Sequence, residues 1–394
     1  MLKDYLPDGW RKMLGWLVMV AASSLIAAAT HSAFCPPDPP MILDHGPAEL
    51  AGLAGAPSSR SADDQNFGAI IDLPPDAPKF RPFSDTPAYR AWLFDDVATD
   101  PDDVFLWRAA KQVLGNHLPT RQQGKTGSCV AFAFTNAAEY LALVQITQGT
   151  AEVFAEQAQE AVYAIARVNI GKGRARGEDG SYGAWCAGAV TQYGVVFRAR
   201  YGSLDLTRYD ERECRRLGDA GLPADVIAIA RGHPIKDAAK VRTSAEAIAA
   251  LRSGYPIAIV SNVGFGPTWG NRRDKDGFRA AQGSWPHGMA LIGYRASGRA
   301  GFYCMNSWGS DWISGPTGPG APPPGGFWIE PATVDRMLRA GDSFALSGLA
   351  GFPARDLWLV RGPAARPRYY AGAARRALGA LLRPGVSARV SVRI

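Results

Sequence analysis

The sequence predicts an α+β protein built from two lobes, one helical and one made of short strands. Apolar residues recur at helical spacing through residues 118–230, and short apolar runs bounded by Gly and Pro follow residue 252. The polar side chains that could carry chemistry are divided between these two halves. A cleft where the lobes meet is therefore the expected place for a substrate.

The composition fits a globular chain and excludes a disordered one. Of 394 residues, 47% are apolar and 20% are charged. The net charge of +7 comes from the end of the chain, where residues 361–394 hold eight Arg and no acidic residue. The remainder is close to neutral, so the basic character says little about what the lobes act on.

Residues 1–33 predict a signal peptide or an N-terminal membrane anchor. Residues 14–29 are almost wholly apolar, which is short for a bilayer span, and Ala27 and Ala29 form a small-residue cleavage pattern. Asp4 and Asp8 make the leading region more acidic than is usual, which leaves an uncleaved anchor or a buried helix open. We expect an exported protein, secreted or periplasmic, in contact with the membrane if this segment is retained.

The rest of the chain divides into three parts: a Pro-rich linker and N-terminal arm (34–117), the two lobes (118–362) and a basic tail (363–394). Hydrophobic patterning predicts helices over Cys129–Gln148, Ala151–Val168, Ala184–Tyr193 and Ser244–Arg252. Strands are predicted over Pro256–Val260, Gly288–Tyr294, Gly301–Met305 and Gly326–Glu330. Between the last two strands, the Gly- and Pro-rich residues 315–325 predict an exposed, flexible loop.

Cys129 opens the longest predicted helix, after the run Gln123-Gly-Lys-Thr-Gly-Ser. The positive end of a helix dipole lowers the pKa of a thiol and favours the thiolate. His287 lies far downstream, before a predicted strand, and Asn306 follows another strand. A thiol, a base and an amide that orients the base are the parts of a cysteine hydrolase.

From Leu118 to Leu359 the chain resembles the papain-like cysteine peptidases. Three blocks carry the resemblance, and it is their combination and order that are specific. They are Gln-Gly-Lys-Thr-Gly-Ser-Cys-Val-Ala-Phe at 123–132, His-Gly-Met-Ala-Leu-Ile-Gly-Tyr at 287–294, and Asn-Ser-Trp-Gly-Ser-Asp-Trp at 306–312. The resemblance implies a papain-like fold, with a helical lobe, an antiparallel barrel-like lobe and the active-site cleft between them.

The resemblance also implies roles for individual residues. Cys129 would be the nucleophile, His287 its base and Asn306 the amide that holds the imidazole. Gln123 and the backbone N–H of Cys129 would form the oxyanion hole. Trp308 would shield the histidine–amide pair from water.

For substrate binding, the resemblance implies that Gly180 and Ser181 pair with an extended peptide in antiparallel fashion. It implies that Val260, Trp285 and Gly288 line the pocket for the side chain two residues before the cleaved bond. Many members of the family also carry a helical inhibitory prodomain. Residues 34–117 lack a long charged helix of that kind, so we expect a structural arm, with a reduced inhibitory segment as the alternative.

The chain departs from the family at two places near the expected cleft. A family disulfide is lost at both ends, since Thr126 stands at one cysteine position and Ser181 closes the segment that replaces the other. Pro286 occupies the position before the histidine, where Asp or Asn is usual. Separately, Cys186 and Cys214 could form a disulfide, which the sequence leaves open.

These features predict a cysteine endopeptidase that acts on protein or peptide substrates without a metal or cofactor, because the Cys and His residues are scattered. Two alternatives stay open: an idle papain-like protein with a structural or binding role, and a cysteine amidase or transpeptidase acting on cell-wall peptides. The basic tail could bind an anionic surface. It lacks the interleaved aromatic residues of a nucleic-acid reader, so we predict no specific nucleic-acid recognition.

Overall fold

The structure is a computed structural model that describes residues 67–94, 103–149, 153–265, 270–355 and 357. All of these residues belong to one compact unit of the chain, residues 49–394. The predicted signal peptide or anchor, Cys35 and the basic tail lie outside the described residues.

Most helices lie in the first half of the described chain, as the apolar pattern predicts. The helices are α1 (Pro87–Phe94), α2 (Trp107–Leu114), α3 (Cys129–Ile146), α4 (Gln159–Ala164), α5 (Gly183–Gly188), α6 (Glu211–Ala220), α7 (Ala224–Ala230), α8 (Ser244–Arg252) and α9 (Pro331–Leu338). Helices α4 and α5 each continue as a π-helical turn, over Ile165–Ile170 and Ala189–Tyr193. Helix α3 is apolar and long enough to cross a membrane, but here it is a buried core helix.

The strands form one antiparallel sheet of seven strands and a separate small hairpin. The strands are β1 (Val104–Phe105), β2 (Arg200–Tyr201), β3 (Leu204–Asp205), β4 (Asp237–Lys240), β5 (Ile257–Val263), β6 (Ser284–Arg295), β7 (Gly301–Met305), β8 (Gly326–Ile329) and β9 (Phe344–Ser347). The order in the large sheet is β4-β9-β5-β6-β7-β8, with β1 added to β6, while β2 and β3 form the hairpin. The protein is therefore α+β, which confirms the predicted class.

The first turn of α3 packs directly on β6. A Cβ atom at Gly288 would lie 2.8 Å from the Cα of Val130 and 3.1 Å from the carbonyl oxygen of Cys129. Because such distances leave no room for a side chain, glycine at this position allows the helix backbone to touch the strand. This contact joins the lobes at the residue next to His287.

Two of the predicted elements are wrong in part. The second helix does not begin at Ala151, since residues 153–158 are not helical: Gln157 bridges to Phe197, and Ala158 donates its N–H to Val196. Residues 315–325 are held in place rather than free. Their carbonyls accept hydrogen bonds from three buried aromatic side chains. The donors are the ring N–H of Trp107 to Gly320 (2.9 Å), the ring N–H of Trp328 to Thr317 (2.9 Å) and the hydroxyl of Tyr303 to Pro323 (2.5 Å).

A buried ion pair fastens the loop before Cys129 to the helix after it. Both Glu139 oxygens accept from the Arg121 guanidinium, at 3.0 and 2.9 Å, and one also accepts from the N–H of Gln157 at 2.8 Å. Glu139 is fully buried on α3, and Arg121 is 9% exposed. Because Arg121 lies two residues before Gln123, this pair sets where the loop runs relative to the helix.

We expect Glu139→Ala to lower the free energy of unfolding by roughly 3 kcal/mol, because it removes one partner of a buried pair. Glu213→Ala is the matched control. Its exposed pair with Arg216, at 2.6 Å, should contribute no more than about 0.5 kcal/mol. Urea unfolding of both variants measures the difference, and equal losses would contradict the assignment.

Candidate active site

Cys129 is the first residue of α3 and its side chain is completely buried. Burial raises the pKa of the Cys129 thiol to about 11, while backbone hydrogen bonds from Gly288, Gly68 and Val130 act in the opposite direction. The thiol is therefore protonated at neutral pH in this arrangement. Burial of the sulfur therefore opposes the thiolate that a helix start favours.

His287 and Asn306 are in direct contact. The Nε2 atom of His287 lies 2.7 Å from Oδ1 of Asn306, which also accepts from the backbone N–H of Ser307 at 2.8 Å. An amide oxygen can only accept, so Nε2 carries the proton and Nδ1 presents its lone pair. The orientation that the sequence predicts for this pair is thus present, between β6 and the residue that follows β7.

The other imidazole nitrogen, Nδ1, makes no hydrogen bond to a described residue. Among the described residues, no hydrogen-bond partner lies within reach of the buried Nδ1 atom of His287. Burial lowers the pKa of His287 to about 4, and the Asn306 hydrogen bond only partly opposes this. Thiol and imidazole are consequently both neutral, and they do not form an ion pair in this state.

Gln123 is buried beside these groups and its side-chain amide is oriented at both ends. Nε2 donates to the carbonyl of Thr126 at 3.0 Å, and Oε1 accepts from the Ser307 hydroxyl at 2.7 Å. The backbone N–H of Gln123 also donates to the Ser307 carbonyl at 2.9 Å. The loop before Cys129 is therefore tied across the lobe junction to the loop that carries Asn306.

Trp308 covers the imidazole, and Trp312 packs against Trp308. The Trp308 ring is 4.7 Å from the His287 ring, centroid to centroid, and the Trp312 ring stands nearly perpendicular to the Trp308 ring at 4.9 Å. Trp312 is itself anchored by its ring N–H, which donates to Gly325 at 2.7 Å. Water is kept from this side of the histidine–amide pair.

Residues 67–71 run through the cleft, and we call them the cleft segment. Gly68 accepts from the N–H of Ser181 at 2.8 Å, Ile70 donates to the Ser181 carbonyl at 3.0 Å, and Ala69 donates to the Pro286 carbonyl at 3.0 Å. The bridge between Ala69 and Ser181 is parallel. The chain itself thus occupies the backbone positions at Gly180–Ser181 that the sequence assigns to a substrate.

The fit of the cleft segment over the thiol depends on a glycine. A Cβ atom at Gly68 would lie 1.9 Å from the carbonyl oxygen of Gly127, which is a clash between backbones that no side-chain rotation relieves. Gly68 does not have a positive φ, so an alanine there would be excluded by space alone. Sequence reasoning missed this segment. The apolar run Phe67-Gly-Ala-Ile-Ile inside a Pro- and Asp-rich linker was the available signal.

Arg167 was also missed, and it holds the loop that ends in Gly180. Its buried guanidinium donates to the carbonyls of Gly180, Ala175 and Glu178 at 2.5–2.6 Å, and to Gly218 at 2.9 Å.

The two places where the resemblance implies a disulfide are held in another way. Arg167 holds the segment that ends at Ser181, and at the other place the Thr126 hydroxyl donates to the Glu211 carbonyl at 3.2 Å. Hydrogen bonds therefore hold both places that a disulfide would have joined.

The three residues expected to line one substrate pocket all lie on β5 and β6. Val260 is paired with Gly288 across these strands, beside the start of α3. Trp285 packs against Trp308 and Trp312, with ring centroids 4.9 and 6.4 Å away. Trp285 thus belongs to the aromatic cluster around His287, and the pocket that it would share with Val260 stays a prediction.

The described cysteines other than Cys129 are Cys186, Cys214 and Cys304, and the sulfur of Cys186 lies 3.6 Å from the Ser181 hydroxyl. Cys186 and Cys214 are both free and buried, so the disulfide left open by the sequence is not formed. Across the described ranges, no group of three His, Cys, Asp or Glu side chains converges in a way that could hold a metal ion.

No protein-family model and no curated protein matches the chain, but solved structures do. Xylellain, a cysteine protease from Xylella fastidiosa, has a TM-score of 0.50 and 19% identity over 75% of this chain and 100% of its own. Digestive procathepsin L 3 from the larval midgut of Tenebrio molitor has a TM-score of 0.40 and 15% identity over 88% and 94% of the two chains. The proform of the ragweed pollen cysteine protease Amb a 11 has a TM-score of 0.39 and 18% identity over 66% and 71%.

The likeness to xylellain, at this level of identity, is a likeness of fold. This chain has a papain-like two-lobe fold, as its sequence predicts. Among the solved structures it resembles are those of cysteine proteases.

If the cleft segment is what keeps the thiol neutral, full-length Gly68→Ala should react with iodoacetamide roughly 100-fold faster than the unaltered chain at neutral pH. Displacing the segment hydrates the sulfur and returns its pKa from about 11 toward the ordinary 8.5 or below. Peptide mapping by mass spectrometry assigns the label to Cys129. Gly232→Ala, a substitution in an open loop after α7, serves as the control and should leave the rate unchanged. Equal rates in all three proteins would contradict the prediction.

Acid should loosen the cleft segment. The pKa of His287 falls from its ordinary 6.5 to about 4 when the cleft is closed, so protonation favours the open state. In Cys129→Ala, where no thiolate raises the imidazole pKa of the open state, the stability of the closed state is then complete above pH 6.5 and decreases as the pH falls toward 4. Hydrogen exchange at the amides of residues 69 and 70 of this variant, corrected for intrinsic rates, should report more opening at pH 5 than at pH 7.

His287→Gln is the control for this acid effect, because other groups titrate equally in both proteins. The variant should show no difference in opening between the two pH values. An equal acid effect with and without His287 would assign the opening to another group.

Proposed function

We propose that this chain is a cysteine endopeptidase whose cleft is closed by its own residues 67–71. One observation supports this above all: a buried cysteine begins α3 where the helix packs on the residue after His287, and His287 is oriented by the amide of Asn306. An imidazole with Nε2–H held by Asn306 has its lone pair on Nδ1, the nitrogen that would face the thiol. A histidine in this orientation can accept a proton on Nδ1, which a histidine with only a packing role would not need.

In the proposed reaction the open cleft first lets the Cys129 proton move to Nδ1 of His287. The thiolate then attacks the carbonyl carbon of a peptide bond, and the carbonyl electron pair moves to oxygen. Collapse of this intermediate breaks the C–N bond, and the leaving amine takes its proton from the imidazolium. Water, losing a proton to the neutral imidazole, then hydrolyses the thioester, which releases the acid and restores the thiol group.

The oxyanion of that intermediate would accept hydrogen bonds from the backbone N–H of Cys129 and from Nε2 of Gln123. Preorganised donors of this kind contribute about 3 kcal/mol each in comparable enzymes. The Gln123 amide needs no large movement to do so, since Thr126 and Ser307 already fix its plane. We therefore include Gln123 in this proposal as the side-chain donor of the oxyanion hole.

The direction of the cleft segment supports its role as a block rather than a substrate. It pairs with Ser181 in parallel, whereas the family resemblance implies antiparallel pairing for a substrate. The group of Gly68 that faces the sulfur is its backbone N–H, whereas a substrate would have to present a carbonyl carbon there. A chain lying in this direction offers the nucleophile no bond in position for attack, so the segment can remain in the cleft uncut.

Full-length Gly68→Ala should cleave an unstructured protein such as reduced, alkylated casein, and adding Cys129→Ala should abolish the cleavage. His287→Ala in the same background should lower kcat by roughly 10²–10⁴, the usual contribution of a positioned acid–base group. His233→Ala is the matched histidine control, because His233 is exposed and packs only its ring face on Phe197. Gel assays and initial rates give the comparison.

A Gly68→Ala protein that is labelled at Cys129 but cleaves nothing would contradict the proposal. That outcome would favour the alternative in which the papain-like fold serves an idle binding or structural role.

A further inference from the structure

The side chain of Phe67 lies in a slot whose walls are two tryptophans, Trp285 and Trp308, which themselves touch with ring centroids 4.9 Å apart. Its ring stacks on Trp285, with centroids 5.7 Å apart and planes 28° apart, and meets Trp308 edge-on at 5.8 Å. A third wall is the His287 ring, perpendicular at 5.9 Å. Phe67 is half-buried, whereas both tryptophans are almost fully buried. An aromatic ring is therefore what the slot already holds.

The walls of the slot are fixed by contacts that do not involve Phe67. Trp312 supports Trp308 and Trp285 from behind and is tied to Gly325 by its ring N–H. The Arg279 guanidinium lies over both Trp285 and Trp312, at 5.9 and 5.5 Å from the ring centroids, and donates to the Phe265 carbonyl. The slot should therefore keep its shape when the cleft segment leaves.

The slot lies on the leaving-group side of the thiol. His287 forms one of its walls, and in the proposed reaction His287 protonates the departing amine. The opposite side is marked by Ser181, which pairs with Ala69 and Ile70 beyond the sulfur. A residue whose side chain enters the slot would then be the one that follows the cleaved bond.

We propose that, once the cleft segment is displaced, this slot binds an aromatic side chain immediately after the cleaved bond, with Trp285 as the residue that determines the preference. The inference rests on the proposed function and adds a substrate class to it. A flat ring can stack on the Trp285 face and meet Trp308 edge-on at the same time, as Phe67 does, and a branched side chain cannot. A cationic side chain is disfavoured, because the Arg279 charge stands behind Trp285.

Labelling of the full-length chain tests the slot itself without requiring catalysis. Phe67→Tyr keeps an aromatic ring and should leave the iodoacetamide rate of Cys129 within about threefold. Phe67→Leu should raise the rate, and Phe67→Lys should raise it most, by roughly tenfold or more, because the segment loses its hold on the cleft. Equal rates for the Tyr, Leu and Lys variants would overturn the aromatic preference of the slot.

Cleavage by full-length Gly68→Ala tests the substrate assignment. Peptide pools randomised before the bond carry Phe, Leu, Ala or Lys after it, and mass spectrometry identifies the bond that is cut. We expect kcat/KM to be roughly 10- to 100-fold higher for Phe than for Ala, with Lys lowest. Trp285→Leu should reduce the Phe advantage to about threefold while the Ala pool is cleaved as before. Trp92→Leu, a tryptophan replacement on α1 outside the slot, should keep the full preference.

The two possible failures can be told apart. Cleavage of every pool at one rate, or a preference that survives Trp285→Leu, would overturn this inference and leave the peptidase proposal standing. Cleavage of no pool by a protein that is labelled at Cys129 would overturn the proposed function, and the substrate assignment with it.

Discussion

The contact between the first turn of α3 and strand β6 is the constraint on which the rest of the site depends. Gly288 has no side chain, so the strand backbone reaches the helix at Val130 and at Cys129 itself. The residue before that glycine is His287, and the sulfur begins the helix. A bulkier residue at 288 would push the start of α3 away from β6, and with it Cys129 away from the residue that follows His287. The ion pair between Arg121 and Glu139 and the bonds from Gln123 to Ser307 then fix the surrounding loops.

Burial determines which form of this pair is favoured. The sulfur and the imidazole are both fully buried, and each group then favours its neutral form. The donors that would stabilise a thiolate, the backbone N–H groups of Gly288 and Val130, are already in place. We propose that the burial that keeps the thiol and the imidazole neutral also keeps the side chains of the site aligned. The cleft segment is held by backbone pairing that a substrate peptide could replace.

Much of this arrangement could be predicted from the sequence, and the remainder has identifiable physical causes. The α+β class, helix α3 and strand β7 followed from apolar period and from Gly and Pro boundaries, since those signals are local. The contact of His287 with Asn306 followed from motif resemblance. The cleft segment could not be predicted, because its place depends on pairing with Ser181 over a separation of more than one hundred residues. Arg167 was missed because four of its partners are backbone carbonyls, which cannot be recognised from a sequence, and only Asp219 is a side chain.

The central claim is that Cys129 and His287 become an ion pair when the cleft opens. A pH titration of the His287 ring by NMR, in full-length Gly68→Ala with and without Cys129→Ala, measures this coupling directly. The account predicts that the imidazole pKa in Gly68→Ala lies above its ordinary value, because a thiolate stabilises the imidazolium, and falls when the sulfur is removed. The same imidazole pKa in both proteins would mean that the two groups do not interact, and would contradict the account.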